Sequence, residues 1–366
     1  EVRPRDWSSD VCSSDLAAQD VFSTSMYFQR GSTMDSGRGN PVLDVRHVSV
    51  SFETHDGTAQ AVNDVSFTLH AGESLGLVGE SGCGKSVTAL AIMRLIRDPG
   101  RIHSGEILFQ HCDLLTLSER EMREIRGKSI SMVFQEPMTA LNPVFTIGDQ
   151  LTEVMLLHER KSWSDAQERS LALLRRVGIQ DPDTVMISYP HQLSGGMRQR
   201  VLIAMALVCT PVVLIADEPT SAIDVTAQAQ VLHLINELRL EYGMAVLMIT
   251  HDLGVVAETC DRVAIMYASH IVETAPVHAL FSSPRHPYTQ GLLRSIPSLH
   301  VRGERLTIIP GQVPRPTMYP EGCNFQSRCT HATEQCVLHE PQLIELDDGH
   351  AVACWNPLPA AAPSTR

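Results

Sequence analysis

No stretch of this sequence is both long and apolar enough to span a bilayer. The longest apolar run, Val201 to Ala216, is broken by Thr210-Pro211 and ends at Asp217-Glu218, whereas a spanning helix needs about 20 apolar residues. A buried helix followed by a buried parallel strand accounts for it better. Basic blocks are missing too. With a formal net charge of −13 and no long Lys/Arg run, the chain has no cationic face for an extended phosphate backbone, which argues against nucleic acid as the main partner. Sustained heptads are absent, so no coiled-coil arm is expected. Close C-x2-4-C pairs, the usual mark of structural zinc, are absent as well. From Glu1 to about Thr33 there is no regular period and no apolar core of a secretory signal. The run Arg5 to Leu16 resembles translated sequencing-adapter DNA, so the genuine start is expected at Met34, with disorder over residues 1–40.

What remains suffices for a sizeable core, since 43% of the 366 residues are hydrophobic and 19% charged. Within it, Gly79-Glu80-Ser81-Gly82-Cys83-Gly84-Lys85-Ser86 is a G-x-x-x-x-G-K-[ST] pattern. It follows the apolar run Leu75 to Val78 and precedes Val87 to Met93, which reads as a helix. The pattern therefore stands in the strand–loop–helix context that gives it meaning. Its glycines let backbone amides turn inward on phosphate oxygens. Lys85 then reaches the β- and γ-phosphates, and the Ser86 hydroxyl holds Mg²⁺. A nucleoside triphosphate is the expected ligand. Cys83 lies in that loop at a helix N-terminus, where a lowered thiol pKa and alkylation that blocks activity are expected. A small residue that merely fits is the alternative.

Val42 to Phe52 and Gln60 to Leu69 alternate apolar and polar residues around His55-Asp56-Gly57, which predicts antiparallel strands. Phe52 is placed either to stack on adenine or to serve as a core aromatic. Gly105 to Phe109 predicts a strand, Ser118 to Arg126 a charged helix, and Ile130 to Phe134 a buried strand ending at Gln135. The proline-bounded loop Glu136 to Pro143 leads to a helical region from Ile147 to about Val177. In Leu193-Ser194-Gly195-Gly196-Met197, Ser194 is placed to cap a helix running through Leu207. Such a start leaves amides free for a second anion. Two anion sites either take two phosphates or share one ligand between two copies. Val212 to Glu218 is an apolar strand ending in two carboxylates, as expected at the carboxyl edge of a doubly wound sheet. There Asp217 is placed to support Mg²⁺ and Glu218 to orient and polarise an attacking water. Met244 to Ile249 is a further strand, and His251 at its end is placed for the γ-phosphate.

Taken in order, Gly79 to Ser86, Gln135, Leu193 to Met197, Leu214 to Glu218, Ser221 to Asp224 and His251 resemble the motif set of ATP-binding cassette (ABC) ATPases. The resemblance spans roughly Val42 to Thr274. It implies an α/β P-loop NTPase with a RecA-like parallel core sheet, an antiparallel β subdomain and an α-helical subdomain at about 136–205. The cassette would occupy 41–282, with a small Cys-containing extension at 283–366. The resemblance further implies a head-to-tail dimer with ATP shared between two chains. Phe52, Gly79 to Val87, Gln135 and Asp217 would contact it from one chain, and Ser194, Gly195 and Gly196 from the other, with Asp224 beside it. Mg²⁺ would rest on Ser86, Gln135 and Asp217, and catalysis on Glu218, His251, Gln135 and Lys85. Ile223 and Ser269-His270 depart from the family pattern, the second where a glycine-containing turn is usual.

Glu136 to Pro143, Tyr189 to Arg200, Ser283 to Thr289 and Leu306 to Pro314 narrow the resemblance to oligopeptide/dipeptide importer ATPases. Members work with two transmembrane permease subunits, commonly a second, related ATPase, and an extracytoplasmic solute-binding protein. An ATP-hydrolysing subunit at the inner face of the cytoplasmic membrane is therefore implied. The rivals are a soluble cassette-type switch acting in translation or chromosome maintenance, and an exporter. The first usually carries two cassettes or a coiled-coil insertion, and the second fuses its cassette to membrane helices.

Four cysteines fall together in the tail. Cys323, Cys329, Cys336 and Cys354 follow the spacing C-x5-C-x6-C-x17-C. Two disulfides, zinc, a [4Fe-4S] cluster or no metal are all open on spacing alone, although a reducing compartment works against disulfides. Some members of the resembling family carry an iron–sulfur cluster in this region, which favours that reading.

Overall fold

The computed structural model describes residues 39–135, 140–220, 225–296, 308–347 and 349–360. The expectations for the first 38 residues, and for Ser221 to Asp224, lie outside the described residues, as do parts of the loops at 136–139 and 297–307.

Strands β1 (Leu43–Thr54) and β2 (Gly57–Leu69) pair antiparallel around a tight turn at His55-Asp56. Leu43 and Val45, and then Val48 and Val50, are buried along β1, the period of two being reset by the irregularity between Val45 and Val48. After β3 (Ser74–Val78) and helix α1 (Lys85–Ile92), β4 (Gly100–Phe109) and β5 (Cys112–Asp113) join the first two in the order β2-β1-β4-β5. β4 begins five residues before the expected start at Gly105. Gly105 sits at φ +101, where a Cβ would come 2.6 Å from the Arg46 carbonyl oxygen. It marks an irregularity inside the strand rather than its beginning.

The second sheet has β3 at its centre. Helix α2 (Glu119–Ile125), capped by Ser118, leads to β6 (Ile130–Val133), and β7 (Val213–Asp217), β8 (Ala245–Thr250) and β9 (Arg262–Tyr267) follow. These strands run parallel in the order β9-β3-β8-β7-β6. Every residue of β3, β6, β7 and β8 is buried, which is why each reads as a largely apolar run. Alternate residues serve two cores. Val213 and Ile215 pack with α1 and the antiparallel sheet, while Leu214 and Ala216 pack with the helices inserted between β6 and β7.

Those helices are α3 (Ile147–Glu159), α4 (Trp163–Arg176), α5 (Pro182–Ile187) and α6 (Gly195–Leu207). Side chains of Thr146, Ser162, Asp181 and Ser194 cap their N-termini. The single helical region expected from Ile147 to Val177 is split because Arg160 takes a left-handed φ of 51° and Ser162 starts a new helix. Helix α7 (Val225–Tyr242) packs Val231, Leu234, Ile235 and Leu238 inward.

The C-terminal part is built into the sheet. After α8 (Leu253–Thr259), β10 (His270–Pro276) pairs with β9, and helices α9 (Val277–Ser282), α10 (Pro287–Arg294) and α11 (Glu334–Leu338) precede β11 (Ile344–Asp347) and β12 (His350–Val352). β12 returns to pair with β10, so both late strands extend the parallel core antiparallel at its edge. Glu273 of β10 is fully buried at this junction. Its carboxylate accepts the backbone N–H of Arg285 at 2.6 Å and of His286 at 2.9 Å, and pairs with the His350 ring at 2.7 Å. Three partners make a buried carboxylate tolerable.

His286, also buried, accepts the Tyr288 N–H at 3.0 Å and so caps α10. Burial pushes its pKa down to about 4. The folded chain therefore binds fewer protons than the unfolded chain below the ordinary histidine value. Stability from this site is present above about pH 6.5 and is lost as pH falls toward 4, by about 1.4 kcal/mol per unit. Urea unfolding at pH 7 and pH 5 should show wild type losing about 2 kcal/mol more than His286→Asn, which keeps a capping acceptor but cannot be protonated. Equal losses in the two proteins would remove His286 as the cause.

Candidate nucleotide site

The phosphate loop leaves β3 at Gly79 and is wedged between two neighbouring strands. A Cβ on Gly79 would come 2.1 Å from the Met266 carbonyl oxygen of β9. A Cβ on Gly84 would come 2.2 Å from the Ala61 carbonyl oxygen of β2, and Gly84 also takes φ +110. No side chain fits at either place. The loop is braced further by the Ser269 N–H, which donates to the Cys83 carbonyl at 3.1 Å, while Asn63 N–H donates to the Ser269 carbonyl at 2.9 Å. Ala268 and Ser269 both adopt left-handed φ, 43° and 72°. The turn that departs from the family pattern thus keeps a glycine-like backbone without glycine.

Helix α1 begins at Lys85 with no side-chain cap, which leaves first-turn donors for a ligand. Lys85 is buried, and its ammonium donates to the Gly79 and Glu80 carbonyls at 2.7 and 3.0 Å. The Ser86 hydroxyl donates to Asp217 Oδ1 at 3.1 Å. Burial pushes the Asp217 carboxyl above its ordinary range, and the charge of Glu218 adds to this, while the Ser86 hydrogen bond and Lys85 oppose it. A buried carboxylate touching a hydroxyl at the phosphate loop fits a hard divalent cation. Ser86 and Asp217 would hold Mg²⁺, whose charge neutralises phosphate oxygens.

Three more side chains meet at the carboxyl ends of adjacent strands. Glu218, directly after β7, accepts a hydrogen bond from Gln135 Nε2 at 2.9 Å, two residues past β6. Its other carboxylate oxygen lies 3.0 Å from Nδ1 of His251, just past β8. Glu218 holds φ 45°, left-handed for a non-glycine residue, while its N–H is tied to the Ile249 carbonyl at 2.9 Å. Strain of this kind is retained where it aims a side chain. The geometry suits a general base that polarises water beside a γ-phosphate.

Phe52 is half-buried and packs on Gly100, where a Cβ would meet its ring at 2.4 Å. It pairs with Ala59 in β2, two residues before the Ala61 that abuts the phosphate loop. Ser194, Gly195 and Gly196 are not brought to that loop. The Ser194 hydroxyl accepts the Met197 N–H at 3.3 Å, and a Cβ on Gly196 would meet nothing within 4 Å. Asp224 falls outside the described residues. Three loop contacts were not foreseen: Ser269, Arg328, whose guanidinium reaches the Glu80 carboxylate, and Tyr288, whose hydroxyl accepts the Glu80 N–H at 3.1 Å. Tyr288 lies in the His-Pro-Tyr tail segment, but nothing in its spacing points to the loop.

One expectation is overturned. Cys83 is almost fully buried, with its sulfur against Gly79, and burial pushes its thiol pKa up, Lys85 only partly offsetting this. The helix terminus does not activate it. The four tail cysteines do gather, with Cys323 N–H donating to the Cys336 carbonyl at 2.8 Å. Burial first, and then the neighbouring thiols, push Cys323 up to about 11 and Cys354 to about 12. Among the described residues no group of three or more His, Cys, Asp or Glu is arranged to hold a metal ion. This arrangement of the described residues lends support to neither the iron–sulfur cluster nor zinc.

The ABC transporter family is matched over residues 62–221, and the C-terminal region of oligopeptide/dipeptide transporters over residues 272–336. The dimeric structure of a bacterial ABC transporter cassette overlays at TM-score 0.59 and 26% identity, covering 64% of this chain and 98% of that one. A dimeric post-hydrolysis state bound to ADP and Pi overlays equally well, at TM-score 0.59 with the same coverage and identity. Fold and site together define an ABC transporter ATPase, an enzyme that hydrolyses ATP. Among curated relatives, the dipeptide transport ATP-binding protein DppD of Bacillus subtilis is 50% identical over 315 residues, 86% of this chain and 94% of its own. The oligopeptide transport ATP-binding protein OppD of Salmonella typhimurium is 49% identical over 319 residues, 87% of this chain and 95% of its own. The chain belongs to the oligopeptide/dipeptide transporter family of ABC ATP-binding proteins.

Because Cys83 is buried and its thiol is held protonated, maleimide treatment of the folded protein should leave Cys83 unmodified while exposed thiols react. Peptide mass mapping reads this directly; rapid, ATP-protected labelling of Cys83 would show that the loop opens far more than its packing allows.

Proposed function

We propose that this chain is the ATP-hydrolysing subunit of an importer for peptides or related solutes, acting at the cytoplasmic face of the membrane through two permease subunits. The observation that carries the reading is the convergence of Gln135 and His251 on Glu218, beside the phosphate loop and the Ser86–Asp217 pair. The matched C-terminal region supports an importer over the soluble switch. No described helix is long and apolar enough to cross a membrane, and attachment is assigned to the permeases. Val144 and Phe145, exposed just after the Gln135 loop, suit such a contact. An extracytoplasmic binding protein would deliver the solute.

In this reading two cassettes, identical or paralogous, associate head to tail. ATP bound at Lys85 and Ser86 of one chain is completed by Ser194, Gly195 and Gly196 of the other. The open space at Gly196 supports this, since nothing within its own chain demands a glycine there. Phe52 stacks on the base. Glu218 orients the water that attacks the γ-phosphate, with Gln135 holding the carboxylate and His251 completing the contact. Ser86, Asp217 and Gln135 would hold Mg²⁺, which would supply positive charge against the phosphate oxygens. Hydrolysis then reopens the pair, and the motion passes to the permeases.

Glu218→Gln should bind ATP normally and accumulate as an ATP-dependent dimer, while turnover falls by about 10²–10⁴-fold. Phosphate release and light scattering check both halves. Turnover within a factor of a few of wild type would remove Glu218 as the base.

A further inference from the structure

The extension reaches back to the phosphate loop through one side chain. Arg328, nearly buried, places Nη1 at 3.1 and 3.2 Å from the two carboxylate oxygens of Glu80, the second residue of that loop. The same guanidinium is held from behind, because Nε donates to the Pro310 carbonyl at 2.9 Å and the group lies over the Tyr267 and Phe325 rings at 5.7 and 6.0 Å. Its position therefore does not depend on Glu80. Glu80 is tied at its backbone, where Tyr288 accepts its N–H and Lys85 donates to its carbonyl. The loop thus keeps its course without the ion pair, and the pair is left with an electrostatic task. A carboxylate in a loop that receives the β- and γ-phosphates repels its own ligand unless a cation stands beside it.

We propose that Arg328 is a positioning residue of the nucleotide site: it neutralises Glu80, so that the extension, through one charge, sets how tightly the phosphate loop holds ATP. This rests on the phosphate-loop reading above and adds a determinant from outside the cassette. Three features separate it from a merely structural anchor. An anchor would act through folding and be indifferent to the charge on Glu80. A neutralising charge acts on affinity, depends on ionic strength and becomes dispensable once Glu80 is uncharged.

The test is equilibrium ATP binding by calorimetry on the full chain, with thermal unfolding in parallel. Lys85→Ala should abolish binding, and its failure to do so would sink the phosphate-loop reading independently of Arg328. Arg328→Gln should raise the ATP Kd about five- to tenfold at low salt, with the difference shrinking at 0.5 M salt, and should raise KM more than it lowers kcat. Adding Glu80→Gln to Arg328→Gln should bring Kd back to within about twofold of wild type. Should Arg328→Gln prove too unstable, Glu80→Gln alone decides, because it leaves Arg328 facing the phosphates and should bind ATP at least as tightly as wild type. An unchanged Kd in Arg328→Gln, a defect that persists undiminished beside Glu80→Gln, or weaker binding by Glu80→Gln alone would each overturn the proposal.

Discussion

The phosphate loop has no room to spare. Gly79 presses on the backbone of β9 and Gly84 on the backbone of β2, so the loop is clamped between the parallel sheet and the antiparallel sheet. Both contacts are with carbonyl oxygens, which cannot swing aside as a side chain would. The consequence is preorganisation: Lys85, Ser86 and the start of α1 are set by strands on either side before any ligand arrives. The relation between the two sheets is therefore a functional coordinate, and the buried aliphatic core that joins them fixes it.

Parallel strands supply the other half of the site. Because β6, β7 and β8 lie side by side in register, the residues just past their ends come together without any loop having to fold inward. Gln135, Glu218 and His251 meet for that reason, although 83 residues separate the first two. The left-handed backbone at Glu218 turns the chain so that the carboxylate faces its two neighbours. A buried, wholly apolar strand that ends in charge is the usual way an α/β sheet presents chemistry at its edge.

The extension is not an appendage to this arrangement. β12 adds to the core sheet, the buried Glu273 ties β10 to the start of α10 and to His350, and Tyr288 and Arg328 both touch Glu80. Burial links that charge to folding, since an unpaired carboxylate at Glu273 would be costly there. A segment that completes a sheet and also contacts the phosphate loop brings the far end of the chain to that loop.

Local pattern and element order were legible because they depend on short-range physics. The G-x-x-x-x-G-K-S run, the apolar strands with polar ends and the Ser194 cap all follow from steric needs, strand burial and helix periodicity within a dozen residues. What spacing could not convey is how far each side chain is from water and from residues distant in sequence. Cys83 stands where a helix terminus would lower its pKa, yet packing buries it and the sign reverses. The tail cysteines are close in sequence, but whether their sulfurs converge depends on how the intervening loops fold. Arg328 carries no motif at all; only the return of the extension across Tyr267 brings it to Glu80, 248 positions away in sequence. The sequence by itself determined which residues form the phosphate loop and the strand ends beside it, and on which elements they ride, because those needs are local. Tertiary structure alone decided which charges and thiols are buried or neutralised, because desolvation and long-range pairing exist only once distant segments pack.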